Sequence, residues 1–353
     1  MKHCCLALFL LLFTLTTGAD IRLHEGELEG APYKVVTPTE WTSGSVFFVV
    51  HGWRPPEAPH VADLDVEDPL VAKLLEAGWA VAKTAFKENG VDHDAHTEAL
   101  RDLKTWIDTE VGSVGRVVME GESTAGTLLL RIAERHPDLA NGVIAMSAFV
   151  ELEDQDSGDF LTAQPQVPAI LMSNLTEIEG PVEYVTAALD APVVPSLRPV
   201  RRPGHVNLNW VERWEALKAM EDWLEKRMYP VMQDGTREVP TRQTGTLEKE
   251  GTLLNKVTAV NPFYGNAILG FHPEELKAAG IEQGSPFELE AHGKMWTVFY
   301  GESYGDVELG EWIAFPNADD QVLVARNHQS AIETADLEVG DIVAVRRLSV
   351  GGE

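Results

Sequence analysis

The stretch VVMEGESTAGTLLL, residues 117–130, decides how the chain is read. An apolar run stops at Gly121. Ser123 follows two residues later, and an aliphatic run with helical spacing begins after Gly126. A serine hydroxyl is a weak nucleophile until a neighbouring base takes its proton. Sheet-based acyl-transfer sites present such a serine on a sharp strand-to-helix turn, which demands small residues two positions to either side. Gly121 and Ala125 hold those positions, with Gly126 next. The helix after the turn aims its free amides and positive dipole end at the same point. The competing reading is an ordinary N-cap serine. The rest of the chain has to decide between them.

Outward from this turn, short apolar runs alternate with helical patterns. SVFFVVHGW (45–53), WAVAKTAF (79–86), GRVVMEG (115–121), NGVIAMSAF (141–149) and VPAILMSN (167–174) read as strands. DPLVAKLLEAG (68–78), HTEALRDLKTWIDTEV (96–111), TAGTLLLRIAERH (124–136) and NWVERWEALKAMEDWLEKR (209–227) read as helices. Continuous apolar strands separated by helices imply a parallel sheet covered on both faces, an α/β fold. Composition changes after Tyr229. PVMQDGTREVPTRQTGTLEKEG is polar and rich in turn formers, and beyond it the strands are short, glycine-spaced and free of long helices. That pattern predicts a small all-β barrel or sandwich. The expected division is a leader at 1–19, an α/β domain at 20–230, a linker at 231–250 and a β-barrel at 251–353.

The bulk numbers narrow the partners. With 353 residues, 44% hydrophobic and 24% charged, the chain can bury a sizeable core in two domains. A formal charge of −28 is repelled by phosphate backbones and anionic lipid, which argues against nucleic-acid or membrane-surface partners. The first stretch, MKHCCLALFLLLFTLTTGAD, has a short polar start, an apolar core and small residues at Thr17-Gly18-Ala19. It reads as an export signal, too short to span a bilayer comfortably, so a periplasmic or secreted location is expected, with no membrane insertion after cleavage. The only two cysteines, Cys4 and Cys5, would leave with it.

If Ser123 is a nucleophile, three further features are required. The first strand ends in His51-Gly52, a turn that would supply a second oxyanion amide, the N–H of Trp53, to partner that of Thr124. A histidine must follow in chain order, and RRPGHVNLN (201–209) offers His205 after a glycine, before the last helix. An acid should follow the fifth strand, where LTEIEG offers Glu177 and Glu179, with Glu183 further on. The spacing favours Glu177, and a glutamate can orient the base as an aspartate does.

These residues carry a resemblance. From about Val46 to Trp223 the chain resembles the α/β-hydrolase fold, and GWAVAKTAFKENG followed by GESTAG is similar to its secreted esterase branch, which includes tannase and feruloyl-esterase-like enzymes. That branch usually carries glycine at the position of Ala125 and aspartate at that of Glu177. The resemblance implies a serine hydrolase acting on a small-molecule ester, with no metal or organic cofactor.

The C-terminal region has a resemblance of its own. VTAVNPFYGNAIL, GEWIAFPNADDQVLVARNHQSA and VGDIVAVRR resemble the C-terminal barrel of the S-adenosylmethionine hydroxide adenosyltransferase and fluorinase family. The resemblance implies adenosyl-binding positions at Tyr264, Gly265 and Asn266 and at Arg326 and Asn327. It also implies a homo-oligomer through the barrel, because that family builds its site between subunits of a trimer. Two alternatives follow: an enzyme of nucleoside or S-adenosylmethionine-related metabolites with the barrel in its pocket, or a non-catalytic binding scaffold.

Three weaker signals point elsewhere. DHDAH places His93 and His96 three apart, a spacing that can bind a metal on a helix, but a solvated helix start is the favoured reading. Asn174-Leu-Thr fits a glycosylation acceptor. The acids of ELEDQDSGD (151–159) read as a solvated loop.

Overall fold

The first sheet is built from eight strands. In the computed structural model, which describes residues 20–152, 160–241 and 243–348, they are β1 (Ile21–Leu28), β2 (Ala31–Pro38), β3 (Ser45–Val50), β4 (Ala80–Thr84), β5 (Arg116–Glu122), β6 (Gly142–Met146), β7 (Ala169–Asn174) and β8 (Ser196–Val200). The expected export leader and residues 153–159 of the acidic stretch lie outside the described residues. Strand order is β1-β2-β4-β3-β5-β6-β7-β8, parallel from β4 through β8, with β1 and β2 antiparallel at one edge. This is the α/β-hydrolase arrangement. Helices α1 (Pro69–Glu76), α2 (His93–Trp106), α3 (Thr124–Arg135), α4 (Glu179–Ala187) and α5 (Trp210–Lys226) cover it.

The apolar runs alternate between two cores. Val46, Phe48, Val117 and Met119 face α2 and α3, where Leu100, Leu103, Leu128 and Ile132 are buried. Phe47, Val118, Ile144 and Met172 face α1 and α5, where Leu70, Leu74, Leu217 and Met220 are buried. Strands buried on both faces need apolar residues at every position, which is why they read as unbroken runs. Each such side chain contributes about 1.5–3 kcal/mol by leaving water. One acid interrupts the pattern. Glu120, buried in β5, accepts from Arg213 of α5 through its Nε at 3.1 and 3.0 Å, tying the closing helix to the strand that carries Ser123.

In the first domain β1, β2, β8 and α4 had no counterpart in the sequence reading. β1 is charged and largely exposed, so it lacks a buried stripe. Its hairpin to β2 turns at Glu29 and Gly30, both at positive φ. β8 carries Arg198 and Pro199, which argue against a strand. It is tolerated because β8 is the sheet edge. α4 is nine residues long and buries only Pro181 and Tyr184.

Residues 227–241 run back along the first domain. Tyr229 Oη donates to Pro195 O at 3.0 Å, Gly235 N to Pro199 O at 2.8 Å, and Arg237 N to Glu212 Oε1 at 2.8 Å. Beyond them come β9 (Leu247–Lys249), β10 (Thr252–Asn261), β11 (Asn266–Leu269), α6 (Pro273–Ala278), β12 (Ser285–Ala291), β13 (Lys294–Tyr300), β14 (Trp312–Pro316), β15 (Val322–Arg326), α7 (Ala331–Ala335) and β16 (Ile342–Arg347). Seven of these strands close a barrel in the order β10-β11-β15-β14-β13-β12-β16, back to β10, with β9 added beside β10. Closure leaves the seven no free edge. Phe287, Leu289, Val298, Val324 and Val343 fill the interior.

Candidate active site

Ser123 sits between β5 and α3 at φ 56° and ψ −123°. A non-glycine residue held there costs of order 1–3 kcal/mol, so its surroundings must over-determine it. Ser123 N donates to Met146 O at 2.8 Å. A Cβ on Gly121 would lie 3.0 Å from Ala125 O, and one on Gly126 2.8 Å from Met146 O and 3.0 Å from Ala148 Cβ. The helix therefore packs against β6 through Gly126. Position 125 tolerates a methyl group, which explains the alanine there. The Ser123 hydroxyl makes no capping bond to α3.

The hydroxyl instead faces a histidine. His205 Nε2 is 2.8 Å from Ser123 Oγ, and His205 Nδ1 is 2.6 Å from Glu177 Oε2. A carboxylate oxygen accepts, so Nδ1 carries the proton and Nε2 is left to accept from the serine. Glu177 ends a short 3₁₀ turn after β7, and Glu179 opens α4 instead.

The histidine loop is held from the carboxyl ends of two strands. Asn174 is fully buried, and it donates to Asn207 O at 3.0 Å and accepts from Asn207 N at 2.9 Å. Ser147 Oγ accepts from Val206 N at 3.0 Å. Thr176 Oγ1 reaches Gly204 O at 3.1 Å. Phe149 lies beside the imidazole, with ring centroids 5.3 Å apart. The sequence reading missed Asn174 and Ser147 as site residues. Their signal was there: a polar residue ending an otherwise apolar parallel strand, where sites of open α/β sheets collect. The acceptor asparagine of the Asn-Leu-Thr motif is thus a buried strut.

The turn after β3 closes the site from the other side. A Cβ on Gly52 would meet Glu122 O at 2.8 Å and Ser123 Cβ at 3.1 Å, so only glycine lets this backbone approach. His51 is buried, with Nδ1 2.8 Å from Gly52 O. Burial, with the Arg54 charge adding to it, lowers its pKa from 6.5 to about 3. The neutral ring therefore donates from Nδ1 to that carbonyl. The Gly52 C=O and Trp53 N–H belong to one planar trans peptide and point in opposite directions. Holding the carbonyl therefore restrains the direction of the Trp53 amide. Thr124 is the first residue of α3, where an amide has no intrahelical acceptor.

A cleft of about 590 Å³ opens beside Thr124 and Phe149, lined also by Val91, Thr127, Phe160 and Leu161. The DHDAH motif does other work nearby. Asp92 caps α2 through Ala95 N at 2.9 Å, and His96 stacks on Phe86 with centroids 3.8 Å apart. Among the described residues no three His, Cys, Asp or Glu side chains gather as metal ligands, and no helix is long and apolar enough to cross a membrane.

At four of the five positions that the barrel resemblance implied for adenosyl binding, the side chain bonds within the protein. Asn266 Nδ2 donates to Tyr304 Oη at 2.5 Å. Arg326 donates to Gly310 O at 2.6 Å and Thr334 Oγ1 at 2.9 Å, and Asn327 Nδ2 to Val307 O at 2.9 Å. Tyr264 points out of the barrel and donates from its hydroxyl to Trp53 O at 2.6 Å.

Residues 257–344 match the profile of the SAM hydroxide adenosyltransferase C-terminal domain, and the barrel is similar to it. An uncharacterized conserved protein from Thermotoga maritima aligns at 17% identity over 34% of this chain and 42% of its own, with TM-score 0.28. An esterase from Pyrococcus furiosus aligns at 14% identity over 59% of this chain and 92% of its own, with TM-score 0.44. An acylaminoacyl peptidase from Pyrococcus horikoshii aligns at 12% identity over 64% of this chain and 44% of its own, with TM-score 0.46. This chain thus spans less than half the length of the first and third. The α/β-hydrolase assignment rests on the chain's own strand order and turn.

Proposed function

We propose that the first domain is a serine hydrolase that cleaves an ester or related acyl bond of a small molecule. One observation carries the reading: the hydrogen-bonded line from Ser123 Oγ through His205 to Glu177, with the serine held in a strained backbone conformation. Ser123 attacks the acyl carbon while its proton passes to His205 Nε2. Glu177 holds the Nδ1 proton and stabilises the imidazolium. The amides of Thr124 and Trp53 take the oxyanion. The tetrahedral adduct collapses, the C–O bond to the leaving alcohol breaks, and that alcohol takes the Nε2 proton. Water then attacks the acyl-enzyme, gives a proton to Nε2, and the second collapse returns it to Ser123 as the acid leaves. Every proton in this cycle moves among Ser123, His205, the leaving group and water. On the same footing, residues 1–19 act as an export leader and the enzyme works outside the cytoplasm.

Pre-steady-state hydrolysis of short-chain p-nitrophenyl esters tests this reading. A burst of one p-nitrophenolate per chain, absent in Ser123→Ala, is expected. Equal turnover by wild type and Ser123→Ala would rule the mechanism out.

A further inference from the structure

The barrel reaches the hydrolase site at the turn that carries Trp53. Tyr264 Oη donates to Trp53 O at 2.6 Å, across 211 positions of sequence. Beside it the Phe263 ring lies 3.7 Å from the Arg54 guanidinium. Arg54 is buried and held within its own domain by Val61 O at 3.0 Å and by Asp63. The barrel turn is itself rigid. Asn261 Oδ1 accepts from Phe263 N at 3.0 Å and Tyr264 N at 3.3 Å. Gly265, at φ +71°, packs so tightly that a Cβ would fall 2.5 Å from Ser330 Cα. The Tyr264 hydroxyl is therefore delivered from a fixed frame. Its phenol also feels the charge of Glu122, the neighbour of Ser123. A second barrel loop places Asp319 against the Trp210 backbone, at the start of α5 just after the histidine loop.

Two rigid peptide planes meet at Trp53. His51 holds the one that carries its N–H, through Gly52 O. Tyr264 holds the one that carries its C=O. With both planes pinned, the amide has little room to turn. We propose that Tyr264 is a positioning residue for the Trp53 oxyanion donor, so that the barrel completes the hydrolase site in cis. The inference rests on the serine-hydrolase reading above. An oxyanion donor must sit about 2.7–3.1 Å from the developing charge, and deleting one costs about 10²–10³ in kcat. Loosening one should cost less, about tenfold.

The test uses the full chain with Tyr264→Phe, which removes only the hydroxyl, and Tyr264→Ala. Three quantities are measured: kcat and KM on a p-nitrophenyl ester, affinity for a trifluoromethyl ketone that forms a hemiketal oxyanion, and amide hydrogen exchange of residues 51–54. In Tyr264→Phe, kcat and ketone affinity should each fall about tenfold, with KM within about twofold. Exchange at 51–54 should quicken while that around His205 stays as in wild type. If Tyr264→Ala unfolds, Tyr264→Phe alone carries the test. Wild-type kcat and ketone affinity in Tyr264→Phe would overturn the positioning role alone. A wild-type protein whose Ser123 reacts with no acylating or phosphonylating reagent would overturn the hydrolase reading and the positioning role with it.

Discussion

The two tight turns singled out by sequence, 121–126 and 264–266, behave differently. Both depend on a glycine that packs against backbone: Gly126 against Met146 O and Gly265 against Ser330 Cα. At the first turn, the strained residue turns its hydroxyl outward to a histidine brought from 82 positions away. At the second, Asn266 bonds within the barrel and only Tyr264 looks out, to a partner the barrel itself lacks. The glycine pattern marks where the backbone must be close. What the neighbouring side chains meet decides whether the turn becomes a reactive site or a brace.

The sharpest way to break this comparison is to remove the orienting acid. Glu177→Gln should lower kcat by about 10⁴-fold by favouring the wrong imidazole tautomer. Glu179→Gln should stay within about twofold. The reverse ranking would move the acid to α4.

The paired substitutions Gly126→Ala and Gly265→Ala come next. Each forces a methyl group onto backbone and should destabilise by about 1–3 kcal/mol, read by urea denaturation. Gly126→Ala also displaces the start of α3 under Ser123, so its kcat should fall further than that of Gly265→Ala. Equal losses would mean that both turns act only through stability.

A smaller effect concerns the loop that carries the base. Asn174→Ala strips two partners from the Asn207 backbone, and leaving such groups unpaired costs about 1–3 kcal/mol. If that cost falls on the placement of His205, kcat drops about 10–100-fold at unchanged KM. A loss confined to Tm would make Asn174 purely structural.

The smallest effect is on pH and stability. Burial, aided by Arg54, lowers the pKa of His51 from 6.5 to about 3, and burial lowers that of His96 from 6.5 to about 4. The unfolded chain therefore binds more protons than the folded one between about pH 6.5 and those values. The stability due to each neutral ring is complete above about pH 6.5 and is lost on acidification. The slope approaches about 1.4 kcal/mol per pH unit for each ring. His96→Phe, which keeps the stacking on Phe86, should remove one such increment between pH 6 and 4.5. An unchanged slope would show that His96 does not carry it.

How much of this was legible in the sequence follows the range of each interaction. The strand-turn-helix around Ser123 is local, and the chain order of serine, acid and histidine gives the other two positions. The apolar runs of β3 and β5 to β7 announce themselves because both faces are buried. β1 and β8 were silent because edge strands may be charged or carry proline. Asn174 bonds a backbone 33 positions away, so its role appears only once β7 and the histidine loop are side by side. Tyr264 was read as a ligand contact, and nothing local could show that Trp53 lies opposite its hydroxyl.

The most direct test of the central claim is fluorophosphonate labelling of the full chain, read by intact mass and peptide mapping. The account predicts one adduct per chain, located on Ser123, absent in Ser123→Ala and slowed by at least about 10³-fold in His205→Ala. A folded wild-type protein that takes up no adduct, or one labelled equally in Ser123→Ala, would contradict it.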